Sequence, residues 1–372
     1  MSSSIHLVEY QHSVLVQRVA SPCPPEGTVI SPSRQYTKKR DGTVSKWWKV
    51  VAAVAIAFVV LLAVIAITQP KKQTVITDAD RIASIPANAT KMAPAQDIYK
   101  PVILSDLWEQ PVQMPGPVNT AGAEDSPFIT PDGNWFFFFF TPDVSVPVEK
   151  QLLDGVTGIW WMQKNGTSWT SPEKIILYDD VSLDGAEFVQ GNAMWFGSVR
   201  TGNMGEIDIY TATYAEGKWT DVTNAGRQLN VDYDIGEFHI TADGQTLYFH
   251  SGKIDTGESM DIWVSQKTGD GWGTPVRVPT VNTAAAEGWP YLTPNGSELW
   301  FTRFGSPAGY QGPSIYRSVK LSNGSWGQPE EIVANFAGEP TLDAAGNIYF
   351  THHYYSSDNK MIEADIYVAY KK

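Results

Sequence analysis

The chain has a single cysteine, Cys23, in 372 residues. A disulfide within one chain is therefore excluded, as is a zinc site built from several thiolates. Positive charge is also scarce. With 27 Lys and Arg against 40 Asp and Glu, the formal net charge is −13, which repels a phosphate backbone and argues against a nucleic-acid partner. No G-x-S-x-G nucleophile elbow occurs, so a serine hydrolase of that kind is set aside. No D-x-D-x-D-G loop is present to make a strong case for calcium.

What charge there is lies unevenly. Residues 1–72 hold 9 of the Lys and Arg and only 3 of the Asp and Glu, leaving 18 against 37 for the remainder. Between the two parts, residues 50–68 form a run of 19 without a charge, enough for a helix of roughly 28 Å across a bilayer core. Trp47 and Trp48 stand where interfacial aromatics belong, with Lys46 and Lys49 around them and Lys71 and Lys72 beyond the run. The expected organisation is a disordered tail over 1–46 and a transmembrane signal-anchor helix over 47–69. A linker over 70–104 follows, with one short helix at "DADRIAS", and then an extracytoplasmic domain over 105–372.

That domain repeats. "SPFITPDGNWFFFFF" (126–140), "EFHITADGQTLYFHS" (237–251), "WPYLTPNGSELWFTR" (289–303) and "EPTLDAAGNIYFTHH" (339–353) each read as a hairpin, with a degenerate copy, "EFVQGNAMWFGS", from residue 187. A third strand follows each copy, as in "EIDIYTA" and "EADIYVA". A fourth carries the marker tryptophans Trp169, Trp219, Trp272 and Trp326, which are 50, 53 and 54 residues apart. Units of about 50 residues with four short strands signal propeller blades. The last copy ends without its Trp strand, and "SDLWEQPVQMPGPVNT", with Trp108 in the marker position, stands ahead of the first. The reading is an all-β, five-bladed β-propeller closed by this N-terminal strand. The five phenylalanines are then a second strand buried on both faces.

The pattern "VNT…E…SPFITPDG…FF", then "S-x-R-x-G…DIY", then "G-x-W…P" resembles the TolB-like, WD-like family of β-propeller repeats found in exported bacterial and archaeal proteins. The likeness covers 105–372. It departs in the shortened "VQGNAM" turn and in Ser314, which stands where Asp208, Asp261 and Asp365 stand elsewhere. The resemblance implies binding of other proteins or envelope components.

Chemistry is sought where inner strands begin, at one mouth of the central channel. Aligning Thr130, Thr241, Thr293 and Asp343 puts Ser126, Glu237, Trp289 and Glu339 in one column, with Glu187 joining it after allowance for its shorter turn. Asp125 and Glu287 sit just before it, and Arg200, Ser251, Arg303 and His352 close the second strands. The candidate ligand-binding set is therefore Asp125, Glu187, Glu237, Glu287, Trp289, Arg303, Glu339 and His352. Ca²⁺ is the cation such oxygen ligands favour, and carboxylates that brace the next blade are the structural alternative. Adjacent His352 and His353 resemble metal ligands, but no partner pair is evident, and a surface or loop role is expected. The function expected is a membrane-anchored module binding a protein, an envelope component or a glycan. The alternative is a carbohydrate-active enzyme, glycoside hydrolase or lyase, using mouth carboxylates. Carboxylates that follow the repeat argue for the first, because an acid and a base need different environments.

Overall fold

The structure, a computed structural model, describes residues 75–178, 180–252 and 260–372. The apolar run over 50–68 and the tail before it lie outside the described residues. Among the described residues no helix is long and apolar enough to cross a membrane.

Five antiparallel sheets form the blades of an all-β propeller. Blade 1 runs from Ala123–Ile129 through Trp135–Thr141 to Gly158–Asn165, edged by Ser168–Trp169 and Glu173–Lys174. Blade 2 comprises Ser182–Gln190, Ala193–Arg200, Asp208–Ala215 and Lys218–Asn224. Blade 3 comprises Phe238–Ile240, Thr246–Ser251 and Asp261–Thr268, edged by Gly271–Trp272 and Val276–Arg277. Blade 4 holds Glu287–Leu292, Glu298–Phe304, Pro313–Val319 and Glu330–Ala334, and blade 5 holds Ala337–Leu342, Ile348–Tyr355 and Met361–Ala369.

Blade 5 is completed from the other end of the chain, as expected. Val112–Gln113 pairs with the last strand, and Trp108 bridges to Lys371. The marker tryptophans explain this match. Trp169, Trp272, Trp326 and Trp108 lie opposite Lys164, Lys267, Lys320 and Lys371 of their third strands, and each lysine ammonium stands over its indole. The "VNT" and "LNV" asparagines add a second tie. Asn119, Asn230 and Asn282 each bond both backbone groups of an isoleucine, Ile366, Ile209 and Ile262, in the "DIY" or "DIW" strand of the blade before.

The phenylalanine run sits as its alternation requires. Phe136, Phe138 and Phe140 pack with Ile366 and Val368 of blade 5, whereas Phe137 and Phe139 pack toward blade 2 on Phe188 and Leu183. No part of the run is left as an open face.

Residues 76–104 differ from the spacer expected. The helix Asp78–Ser84 forms where "DADRIAS" predicts it, with Thr77 and Asp80 in a capping box. Its Arg81 is fully buried against Phe138, Phe140 and Trp160 and donates to the carbonyls of Pro117 and Val118. Val102–Ile103 adds an outer strand to blade 4, and Lys91 pairs with Glu363 and Asp365 of blade 5. Each tie is one side chain or a two-residue strand, too sparse to leave a periodic pattern in the sequence.

Candidate functional site

Every inner strand but that of blade 3 carries a bulge near its start, between Asp125 and Phe128, Gly185 and Phe188, Gly288 and Tyr291, and Gly338 and Thr341. At each bulge one residue takes a left-handed backbone: Ser126 (φ 45°), Ala186 (φ 55°), Trp289 (φ 52°) and Glu339 (φ 58°). None is glycine, so the ring of blades holds each in a costly conformation while the bulge re-aims its neighbours.

Strand register corrects the sequence alignment. Ser126, Trp289 and Glu339 share the column as expected, with Glu237 at the matching place in blade 3. The blade 2 member is Ala186, because Val189 pairs with Met194 in a tight hairpin as Ile129 pairs with Phe136. Glu187 thus falls where blades 1, 4 and 5 have Pro127, Pro290 and Pro340. Asp125 stands where the other blades have Gly185, Gly236, Gly288 and Gly338. In blade 3 the His250 ring excludes a side chain, and in blade 4 a side chain would have to displace the end of a methionine. A Cβ on Gly236 would lie 1.9 Å from His250 Nε2, and one on Gly288 would lie 2.6 Å from Met260 Cε. Two of the carboxylates therefore break the repeat.

Asp125, Glu187, Glu237 and Glu339 form one electrostatic group on the axis. A void of about 40 Å³ is lined by Glu187, Glu237 and Glu339 together with Ser126 and Trp289. Burial and the neighbouring carboxylates push Glu237 up to about 8. The same causes hold Glu187 and Glu339 well above the usual carboxylate range. Asp125 goes the other way. Despite burial, His353 Nε2 at 3.5 Å, the Thr351 hydroxyl and the Glu339 carboxyl hold it below its ordinary value. Asp125 is drawn down and Glu339 pushed up, each in part by the other, so the two carboxyls titrate as a pair in which one negative charge is favoured over two. The Ser126 N–H donates to both Asp125 Oδ1 and Glu339 Oε2 at 2.9 Å, fixing the pair across the junction of blades 1 and 5.

The void retains unused polar capacity. Glu187 Oε1 and Oε2, Glu237 Oε1 and Glu339 Oε1 are buried without a hydrogen-bond partner among the described residues. Such groups are found where water or a ligand completes the set. Among the described residues, no group of three or more His, Cys, Asp or Glu is disposed to hold a metal ion.

Two other candidates, Glu287 and Arg303, lie elsewhere and brace a single blade. Glu287 accepts from the Thr283 N–H and hydroxyl at 3.1 and 2.5 Å and from Arg303 Nε at 2.8 Å, and Arg303 stacks on Tyr316. Asp184 and Arg200 make the matching pair in blade 2. In blade 1, Glu124 repeats the threonine contacts through Thr120, but Phe140 stands opposite it where Arg303 stands opposite Glu287. Arg81 of the N-terminal helix supplies the missing cation.

His352 is tied to the N-terminal segment and not to the axial carboxylates, with Nε2 2.9 Å from Asp97 Oδ2. Both histidines are fully buried, in contrast to the surface role expected, and as neighbours on a strand they face opposite sides. Sequence reasoning missed His353 and Thr351 as partners of Asp125, and His250, whose ring lies between the backbone N–H groups of Glu237 and Trp289. No motif marks them; they sit in the second-strand columns one to three residues beyond the aromatic pairs.

No protein-family description matches the sequence, and no curated protein is similar to it. Some solved structures are similar to it at low identity. A protein described as a glycoside hydrolase is 9% identical, with a TM-score of 0.46 over 74% of this chain and 92% of its own. An endo-arabinase from Bacteroides thetaiotaomicron is 13% identical, with a TM-score of 0.42 over 70% and 97%. A TolB described from Agrobacterium tumefaciens is 14% identical, with a TM-score of 0.37 over 68% and 92%. At these identities and TM-scores the likeness carries no conclusion about this chain, whose five-bladed propeller is shown by its own strand pairing.

Proposed function

We propose that this propeller acts on glycans as a hydrolase, with its proton chemistry at the axial carboxylates. One observation carries the reading: carboxylates converge on one axial void and Asp125 behind them interrupts a column that is otherwise glycine, with Glu237 pushed up by burial and Asp125 drawn down despite burial by His353 beside it. Splitting a glycosidic bond needs such a division, an acid that protonates the leaving oxygen and an anion that directs water or attacks the sugar. Glu237, the most exposed of the four, is the proton donor. The Asp125–Glu339 pair, facing the void through Glu339, carries the negative charge.

Hydrolysis of polysaccharides and aryl glycosides by the full-length chain tests the reading. Glu237→Gln and Asp125→Asn are expected to lower turnover by about 100- to 10,000-fold with folding intact. No turnover on a broad panel, or turnover indifferent to both substitutions, defeats it.

The size of the void favours a second reading. About 40 Å³ admits water but no sugar ring, so a glycan must open the mouth before it reaches the acids. In this reading the mouth binds a protein or envelope component without turnover, and affinity capture with an inactive but folded chain identifies it. We also infer from the 19-residue apolar run that the propeller is tethered to a membrane on its extracytoplasmic side. Protease accessibility in intact cells tests that placement.

A further inference from the structure

The channel continues past the carboxylates. Below a waist formed by Phe128, Phe188, His239 and Tyr291 lies a cavity of about 430 Å³ on the opposite face, among the hairpin turns of blades 1 to 4. Its rim is exposed at Pro131, Gly191, Ala242 and Pro294, and its walls are largely apolar. This volume falls in the range of small-molecule sites.

Nearby polar side chains are engaged with the protein. The Tyr291 hydroxyl donates to the Leu342 carbonyl at 2.8 Å, Gln190 Nε2 to the Thr241 carbonyl at 3.1 Å, and the Thr130 hydroxyl to Asp132 at 2.6 Å. His239 is the exception. It is 9% exposed and its ring lies between those of Phe188 and Tyr291, at 4.7 and 5.0 Å, with no side-chain hydrogen bond to any described residue. Burial pushes its imidazole down to about 3, so it faces the cavity neutral, with one N–H and one bare nitrogen. Its ring nitrogens are reached by solvent, so water pairs with them until a ligand's hydroxyl or N–H takes its place.

We propose that this cavity binds a flat, uncharged aromatic molecule carrying one hydroxyl or N–H, which packs among Phe128, Trp135 and Phe188 and hydrogen-bonds to His239. The alternatives fail on chemistry. A sugar would bury several hydroxyls against walls that offer little to pair with them, and an ion would find no counter-charge at the waist. The site is separate from the carboxylates and does not depend on their role.

Titration calorimetry of 2-naphthol and indole into the full-length chain, with detergent micelles alone as blank, tests this. One saturable site is expected, with a dissociation constant on the order of 0.1–1 mM for ligands of this size. His239→Phe keeps the ring and removes both nitrogens, and is expected to weaken binding about five- to tenfold. Ala242→Trp, on the exposed rim, is expected to block the mouth and abolish binding at unchanged melting temperature. Absence of saturable heat above the blank, undiminished affinity in the His239→Phe chain, or undiminished binding in the Ala242→Trp chain overturns the proposal.

Discussion

Arg81 and Glu124 illustrate what one residue can decide in this molecule. Both side chains are fully buried, 3.4 Å apart, and burial pushes Glu124 up to about 7 even with the guanidinium beside it. Removing one partner strands the other. Arg81→Ala is expected to cost about 3–5 kcal/mol, measured by denaturant unfolding. Adding Glu124→Gln should restore a large part, because the amide keeps its threonine contacts without a charge. If the double variant is no more stable than the single one, the cost lies in the lost packing on Phe138, Phe140 and Trp160 instead. The same scale shows why the candidate site was only partly legible. Its residue types and general location followed from the repeat, but the column itself was misread at Glu187. A bulge inserts a residue without altering the hydrophobic pattern, so only strand pairing reveals that Ala186 occupies the place and that Asp125 replaces a glycine. That shift matters for function, since it turns carboxylates that seemed to follow the repeat into ones that interrupt it.

At the scale of the element, closure of the ring depends on a short strand. Val112–Gln113 contributes few backbone bonds, and Trp108 adds the packing. Its indole is 2% exposed, meets Trp300 edge-on at 5.5 Å and donates to the Gly346 carbonyl at 2.8 Å. Trp108→Ala is expected to cost about 3–5 kcal/mol, from the cavity and the unpaired carbonyl together. Val112→Thr, in the same segment but 48% exposed, should stay within about 0.5 kcal/mol. Equal losses in the two unfolding experiments would mean that Trp108 is not what holds the ring shut. This element was legible because the marker tryptophan recurs with fixed spacing and its deficit at one end matches a surplus at the other. The ties made by Lys91, Asp97 and Val102–Ile103 were not legible. They join positions more than 200 residues apart through single contacts, and a segment without periodicity reads as linker whether or not it docks.

The whole molecule concentrates titrating groups in its interior, and their pKa shifts oppose one another. Glu237 is raised to about 8, Glu363 and Glu124 to about 7, and Glu187 and Glu339 well above the usual range, each chiefly by burial. A carboxyl raised in the fold binds its proton more tightly there than in the unfolded chain. The stability it contributes is complete below the ordinary carboxylate range and is lost as pH rises through the folded value. His239 and His250, both pushed down to about 3 by burial, act in the opposite sense. Their contribution is present above about 6.5, the value in the unfolded chain, and is lost as pH falls. The two sets pull against each other in acid, and above about 6.5 the histidines no longer change. From there to pH 8 the carboxyls act alone, so the melting temperature of the full-length chain is expected to fall across this window. The Glu237→Gln variant should flatten the decline, since an amide has no proton to lose. A melting temperature that is constant or rises between pH 6.5 and 8 in scanning calorimetry would show that the axial carboxyls are not held protonated, and the proton donor assigned to Glu237 would go with them.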